Sequence, residues 1–358
     1  MQIDFHHAVT YVVARWAGFP HAAAATIAHA AQYVDDATNN GPVRFADGRL
    51  YYRTASAHRM LDMKNLSAQQ NHLAWVPFHF LPSGEGVGIE RLVCRPNSAL
   101  ARHMLECCID DSYEDKSTRK PSAHALYRLG ITAHVYADTW AHQNFVGIVD
   151  PINQVKRLRT ANDELDPNPW DAVKQILSRL FRRELPALGH GQALTEPDLP
   201  WLNWTYVNGR GETIKRRNLD LFVDAADHLA QFFRRFRVAD AKAEVAGLSP
   251  AQKSQLRALF DALRDQNGEQ RHAAWLDAIT KGRIHGIAPV PLGYIAKGPG
   301  SWKDAALAIT EDAESSEARP TYSAAFLASE WKMFHDAAMD HLRMMTRHIF
   351  PQYGLVIP

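Results

Sequence analysis

Residues 122–145, SAHALYRLGITAHVYADTWAHQNF, decide the reading of this chain. Pro121-Ser122 suits a helix start, and the residues after it keep helical spacing without an internal proline. Within the stretch, His134, Asp138 and His142 stand at i, i+4 and i+8. On a 3.6-residue helix those positions fall within roughly 80° of arc and rise about 6 Å per step, so all three project from one face. Val135, Tyr136, Trp140 and Phe145 surround them and point to a mostly buried helix, in which ionisable side chains need partners.

Helical patterning extends outward from there. Residues 7–19 carry Val9, Val12, Val13 and Trp16 at helical spacing, and Pro20 opens an Ala-rich run. Further helices are predicted over 97–110, 170–185, 217–246, 249–265, 268–281 and 321–349, with Ser249-Pro250 as N-cap and N1. Residues 39–56, rich in turn formers and alternating aromatics, suit a loop or a short hairpin, and the Pro/Gly-rich residues 186–204 read as a loop. So few strands cannot build a sheet core. The expected class is therefore all-α, a multi-helix bundle with a metal-binding core over 1–215 and a helical C-terminal region, 216–358, packed on it.

The 358 residues carry 40 Lys+Arg against 39 Asp+Glu, a formal net charge of +1, with 46% hydrophobic and 22% charged residues. That composition excludes disorder, collagen and coiled coil, and it lacks the electrostatic footprint of a protein that coats nucleic acid or anionic membrane. No stretch approaches a membrane span, and the first 19 residues lack a basic segment followed by an apolar one. The expected location is cytoplasmic, or exported without a cleaved signal. Three cysteines without a CxxC pair fit packed thiols rather than a disulfide framework. Of 18 histidines, 11 lie in residues 1–142, which directs the search for chemistry to that part.

Asp138 lies one helical turn from both His134 and His142, while the two histidines, some 12 Å apart on a straight helix, cannot share one ion. A carboxylate between two imidazoles is suited to bridging two metals. Imidazole with carboxylate is zinc chemistry, and paired metals serve in-line phosphoryl displacement. Four other places offer ligands. IDFHH brings Asp4 and His6, although Asp4 equally suits a plain N-cap. Asp35 and Asp36 end the Ala-rich helix, where acidic residues oppose the helix dipole; a cation would compensate them, and a solvated turn is the plain alternative. His79 stands among Trp75, Phe78 and Phe80, either as a ligand or as a satisfied core residue. His190 is Gly-flanked and followed by Asp198, a pattern that permits close approach to an ion but also serves turn geometry. His335, His341 and His348 on the last helix, spaced six and seven apart, read as structural or surface residues, and the 232–237 segment FFRRFR reads as core with a solvated rim.

Taken in order, these pieces resemble the zinc-dependent phospholipase C and P1-type nuclease superfamily, over about residues 1–205. The matching positions are His6, Asp35 in YVD, His79 in FHF, His134 and Asp138 in HVYAD, His142 in AHQNF, and His190. Within that group the DFH start, the PFHF segment and the YADTWAH helix together look closest to a functionally uncharacterised bacterial family. The resemblance implies an all-α fold and zinc ions held by these residues and an N-terminal group. The superfamily usually has Trp at its mature N-terminus; Met1 stands here, with Asp4 as a substitute ligand. Asp138 and His142 are only four residues apart, and position 194 is Leu194 where an acid is expected, so Asp198 or another acid must complete the His190 site. Two zinc ions are expected, with a third left open.

The implied activity is zinc-dependent phosphodiester hydrolysis of phospholipase C type, with Asp35 orienting or deprotonating water. Phospholipid is favoured over nucleic acid as substrate because no basic groove is evident. The rivals are a P1-like nuclease, a metal-stabilised interaction protein without turnover, and an exported toxin acting on lipid.

Overall fold

The computed structural model describes residues 1–57, 73–160, 188–309 and 319–357. A π-helical turn, Asp4–Val9, runs into α1 (Thr10–Trp16), and α2 (His21–Asp36) follows. A hairpin of β1 (Gly41–Arg44) and β2 (Leu50–Arg53) comes next, with Gly41 opposite Arg53 and Arg44 opposite Leu50. The short α3 (Trp75–Phe78) leads to α4 (Ala99–Asp111), which the Ser98 side chain caps by accepting from the Ala101 N–H. Strands β3 (Tyr113–Asp115) and β4 (Lys120–Pro121) pair ahead of α5 (Ala125–Ala141).

Beyond α5, strands β5 (Lys156–Thr160), β6 (Asn203–Val207) and β7 (Thr213–Arg217) form an antiparallel sheet in that order. The chain then turns helical again through α6 (Asn218–Val238), α7 (Pro250–Ala262), α8 (Gly268–Thr280) and α9 (Trp302–Leu307). Helix α10 (Glu330–Arg343) continues into a π-helical turn, Met344–Ile349.

The expectation of an all-α protein is corrected: three small antiparallel sheets make the fold mixed α/β. Two of them lie outside the expected hairpin. In β6 the burial alternates, with Trp204 and Tyr206 inward, and Asn208-Gly209 turns the chain toward β7. That period of two stands in a segment otherwise dominated by Pro and Gly. β5, KRLRT, carries charges on an edge and no apolar alternation, and its partner lies some forty residues away, beyond any local pattern. The helix expected over 170–185 lies outside the described residues.

Other boundaries moved for local reasons. Helix α6 stops at Val238 because Ala239 adopts the left-handed conformation, and α10 starts only at Glu330, where the Ser329 side chain caps the Lys332 N–H. Helix α7 carries the full reciprocal capping box of Ser249 and Gln252.

Helix α5 is the axis, buried along nearly its whole length. It packs most extensively on α2, whose Ala24, Ala28, Ala30 and Ala31 leave no bulk between the two. Gly130 permits the approach: a Cβ there would lie 2.4 Å from the Ile27 carbonyl oxygen and 2.7 Å from the Ala30 Cβ. The largest apolar cluster draws on Phe5, Tyr11, Leu100 and Trp140 as well as Phe222, Phe232, Trp275 and Met345, on both sides of residue 215. Among the described residues no helix is long and apolar enough to cross a membrane.

Candidate metal centre

Close packing of α2 on α5 brings the end of one helix beside the polar stripe of the other. Asp138, 1% exposed, is the hub. Its Oδ1 lies 3.1 Å from His6 Nε2, and its Oδ2 lies 3.3 Å from His134 Nε2, 3.5 Å from His79 Nδ1 and 3.6 Å from His142 Nδ1. Asp35 Oδ1 faces His79 Nδ1 at 3.7 Å and His134 Nε2 at 3.8 Å. His190 Nε2 stands 3.9 Å from Asp198 Oδ2. Three groups can each offer converging ligand atoms: His6 with His134 and Asp138; Asp35 with His79 and His134; and His142 with His190 and Asp198.

Eight of the nine residues singled out in the sequence thus converge. Asp4 does not. Its carboxylate is held by Arg271, with Nε donating to Oδ2 at 2.6 Å and Nη2 to Oδ1 at 3.2 Å, and both side chains are buried. Nor does Asp4 replace the N-terminal group. The Met1 amino group itself donates to Asp138 Oδ1 at 2.6 Å and lies 3.2 Å from Asp198 Oδ1. The acid that stands beside His190 is Asp198, eight residues on rather than four. The helix ends one residue before His142, which occupies the C-cap with its N–H still bonded to the Asp138 carbonyl.

The tautomers are fixed from behind. His134 Nδ1 bonds the Ala31 carbonyl at 2.8 Å, His79 Nε2 the Ser56 carbonyl at 3.0 Å, His142 Nδ1 the His79 carbonyl at 2.7 Å and His190 Nδ1 the Leu194 carbonyl at 3.1 Å. Each carbonyl claims the ring proton on that side, so in a neutral ring the other nitrogen presents a lone pair. With both rings neutral, His134 Nε2 and His79 Nδ1 would face each other as lone pairs 3.1 Å apart, with the Asp35 and Asp138 carboxylates close by. Lone pairs facing lone pairs and carboxylates repel unless a cation lies among them. His6 Nδ1 is buried without a hydrogen-bond partner, while His6 Nε2 meets Asp138 Oδ1 and Asp198 Oδ1 meets the Met1 amine. Such outer-shell carbonyls are the usual company of metal-ligating imidazoles. The donor set fits a zinc-class ion.

Protonation follows from enclosure and charge. Burial drives His142 down to about 3, and it pushes His134 well below its ordinary value, helped by His6. Burial alone would raise Asp138, but His142, the Met1 amine and His134 outweigh it and hold the carboxyl well below its usual range. For the amine, burial acts downward while Asp138 and Asp198 raise it to about 11. Asp35 is pushed well up by enclosure and by the Asp138 charge, although a third of its side chain, 34%, reaches solvent. It is the carboxylate through which the centre meets water.

The chain belongs to DUF6765, a family of unknown function. The family's profile matches residues 1–349. No curated protein and no solved structure matches the chain.

Parts of this candidate centre in a DUF6765 chain rest on residues that sequence reasoning did not assign to it. Arg216 on β7 donates from Nη2 to the carbonyls of Trp140 at 2.9 Å and Ala141 at 3.1 Å, capping the end of α5 where His142 projects. Behind His142, Phe80 stacks on its ring, and Phe145 stacks on Tyr206 of β6. From the C-terminal half, Arg271 anchors the turn that carries His6, and the Tyr294 hydroxyl donates to Asp36 beside Asp35. Phe80, Phe145 and Asp36 were legible as neighbours of the histidines and Asp35, and the alternation in β6 could have announced Tyr206, but Arg216, Arg271 and Tyr294 carried no local signal.

Proposed function

We propose that the protein is a zinc-dependent phosphodiester hydrolase of phospholipase C type. The observation carrying this reading is the set of three His/Asp groups sharing or flanking Asp138, in which rings already held by backbone carbonyls turn lone pairs toward one another. His6, His134 and Asp138 would hold one ion, Asp35 and His79 would hold a second together with His134 or Asp138, and His142, His190 and Asp198 offer a third site. Bound zinc supplies Lewis acidity and lowers the pKa of water toward about 7.

The protein's own groups do the rest. Asp35, the carboxylate with access to solvent, orients the attacking water and accepts its proton. Asp138 and Asp198 balance cationic charge, and Phe80 and Trp75 shield the rings of His142 and His79. Phospholipid or another small phosphodiester is favoured over nucleic acid, because the net charge is +1 and strand-tracking proteins carry a basic groove.

The test is metal analysis followed by assay. Protein purified without chelator should hold two to three zinc-class ions at the three groups above. The loaded protein should cleave phosphatidylcholine or phosphatidylethanolamine in a chelator-sensitive way. Asp35→Asn should lower turnover by about 10²–10⁴-fold, the scale of a lost general base. Cleavage of single-stranded DNA alone would reverse the substrate preference, and no turnover of any phosphodiester by fully metallated protein would sink the reading.

A further inference from the structure

A second constellation lies away from the Asp138 hub. His103 and Cys107 stand one turn apart on α4, so they share a face. His348 reaches them from the π-helical turn that follows α10. One nitrogen of each histidine and the Cys107 sulfur all lie within 4.8 Å of one another. The two rings are 5.9 Å apart between centroids, and Tyr353 stands 6.0 Å from His103. Arg91 donates to the Tyr353 carbonyl at 2.6 Å and pins the C-terminal segment over this face.

Cys107 differs from the other two thiols, since Cys94 and Cys108 are fully buried whereas Cys107 is half-buried and reachable from solvent. We infer that His103, Cys107 and His348 form a second metal site, selective for a softer divalent ion of the zinc class, that ties α4 to the C-terminal segment. The ligand chemistry separates this site from the first. Two imidazoles with a thiolate favour zinc or cobalt over magnesium or calcium, and three protein ligands leave a fourth position to water. With Zn–N about 2.0 Å and Zn–S about 2.3 Å, a tetrahedral edge is roughly 3.5 Å. Closing from 4.8 Å or less to that spacing asks only for rotamer adjustment of partly exposed side chains. Metal binding then expels the thiol proton to solvent and leaves a thiolate ligand.

This inference does not rest on the proposed activity, and its test reads a different signal. Whole protein stripped with chelator is reloaded with Co²⁺ and followed by absorption. The Asp138 centre offers nitrogen and oxygen only, so a sulfur-to-cobalt charge-transfer band reports a thiolate site. That band should reach the intensity of one thiolate-bound cobalt per chain, vanish in Cys107→Ser, weaken in His348→Gln with affinity reduced on the order of tenfold or more, and persist in Asp138→Asn. In the unaltered protein Zn²⁺ should slow alkylation of Cys107, and chelator should restore it; this arm needs no variant. No charge-transfer band at saturating cobalt, a band that survives Cys107→Ser, or alkylation indifferent to Zn²⁺ would each overturn the site.

Discussion

Helices α5 and α10 both bury histidines, and the contrast between them shows what burial alone does not tell. On α10, His335 Nδ1 bonds the Thr54 carbonyl at 2.9 Å and His341 Nε2 bonds the Pro77 carbonyl at 3.0 Å. Around them stand aromatic rings, Trp331 beside His335 and Phe78 beside His341. On α5, His134 makes the same kind of backbone bond through Nδ1, but its other nitrogen meets a second imidazole and two carboxylates. A backbone carbonyl satisfies a core histidine and equally fixes the tautomer of a ligand. What separates the two is whether the far nitrogens converge.

The strongest way to break this contrast is Asp138→Asn. The carboxylate faces four imidazoles and an ammonium, so its loss should release more than one ion, whereas His142→Ala should release mainly one. Elemental analysis reads the difference, and equal single losses would argue against a shared hub. In chelator the same variant leaves the buried Met1 amine with one carboxylate fewer, and urea melts should show a loss of about 3–5 kcal/mol, the scale of breaking a buried ion pair.

Next in size is Gly130→Ala. Alanine is the better helix former by roughly 1 kcal/mol, yet the new methyl group would meet the Ile27 carbonyl oxygen at 2.4 Å, which is backbone and cannot swing aside. Overpacking should win, with a net loss of about 1–3 kcal/mol. Because the same contact sets Asp35 against His134, zinc affinity should fall with stability. A more stable variant with full metal content would show that the approach of α2 to α5 does not set the centre.

The sequence made the candidate ligand stripe legible because His134, Asp138 and their aromatic setting are local to one helix, and Asp35, His79 and His190 each stood out against a local rule of composition or capping. Asp4 failed the same reasoning because its partner, Arg271, is 267 residues away and an N-terminal acid looks alike whether it ligates, caps or pairs. The sheets were lost for a related reason. The pairing of β5 with β6 is non-local, and the charges on β5 carry no period of two. Missing β7 meant missing Arg216, so the cap on α5 was invisible although the helix itself was plain.

The smallest effect expected is also the one that isolates α10 from the metal chemistry. Burial, with Arg128 adding to it, lowers His341 to about 3, while an unfolded histidine titrates near 6.5. Between those values the unfolded chain binds a proton that the folded chain refuses. Stability from this group is therefore complete above about pH 6.5 and falls as pH drops, by about 1.4 kcal/mol per unit. His341→Gln stays neutral throughout. In chelator it should cost about 1 kcal/mol at pH 7.5 through the altered bond to the Pro77 carbonyl. By pH 5 the parent protein has surrendered about 2 kcal/mol at this position, so the deficit should close or reverse. Zinc should leave that crossing in place, whereas the deficit of His142→Ala should grow when zinc is added, because only the parent protein gains the full binding energy. Urea melts at the two pH values, with and without zinc, read all four differences. Parallel pH slopes for His341→Gln and the parent would refute the assignment of a neutral buried imidazole, and a zinc-dependent deficit at His341 would erase the distinction between the two helices.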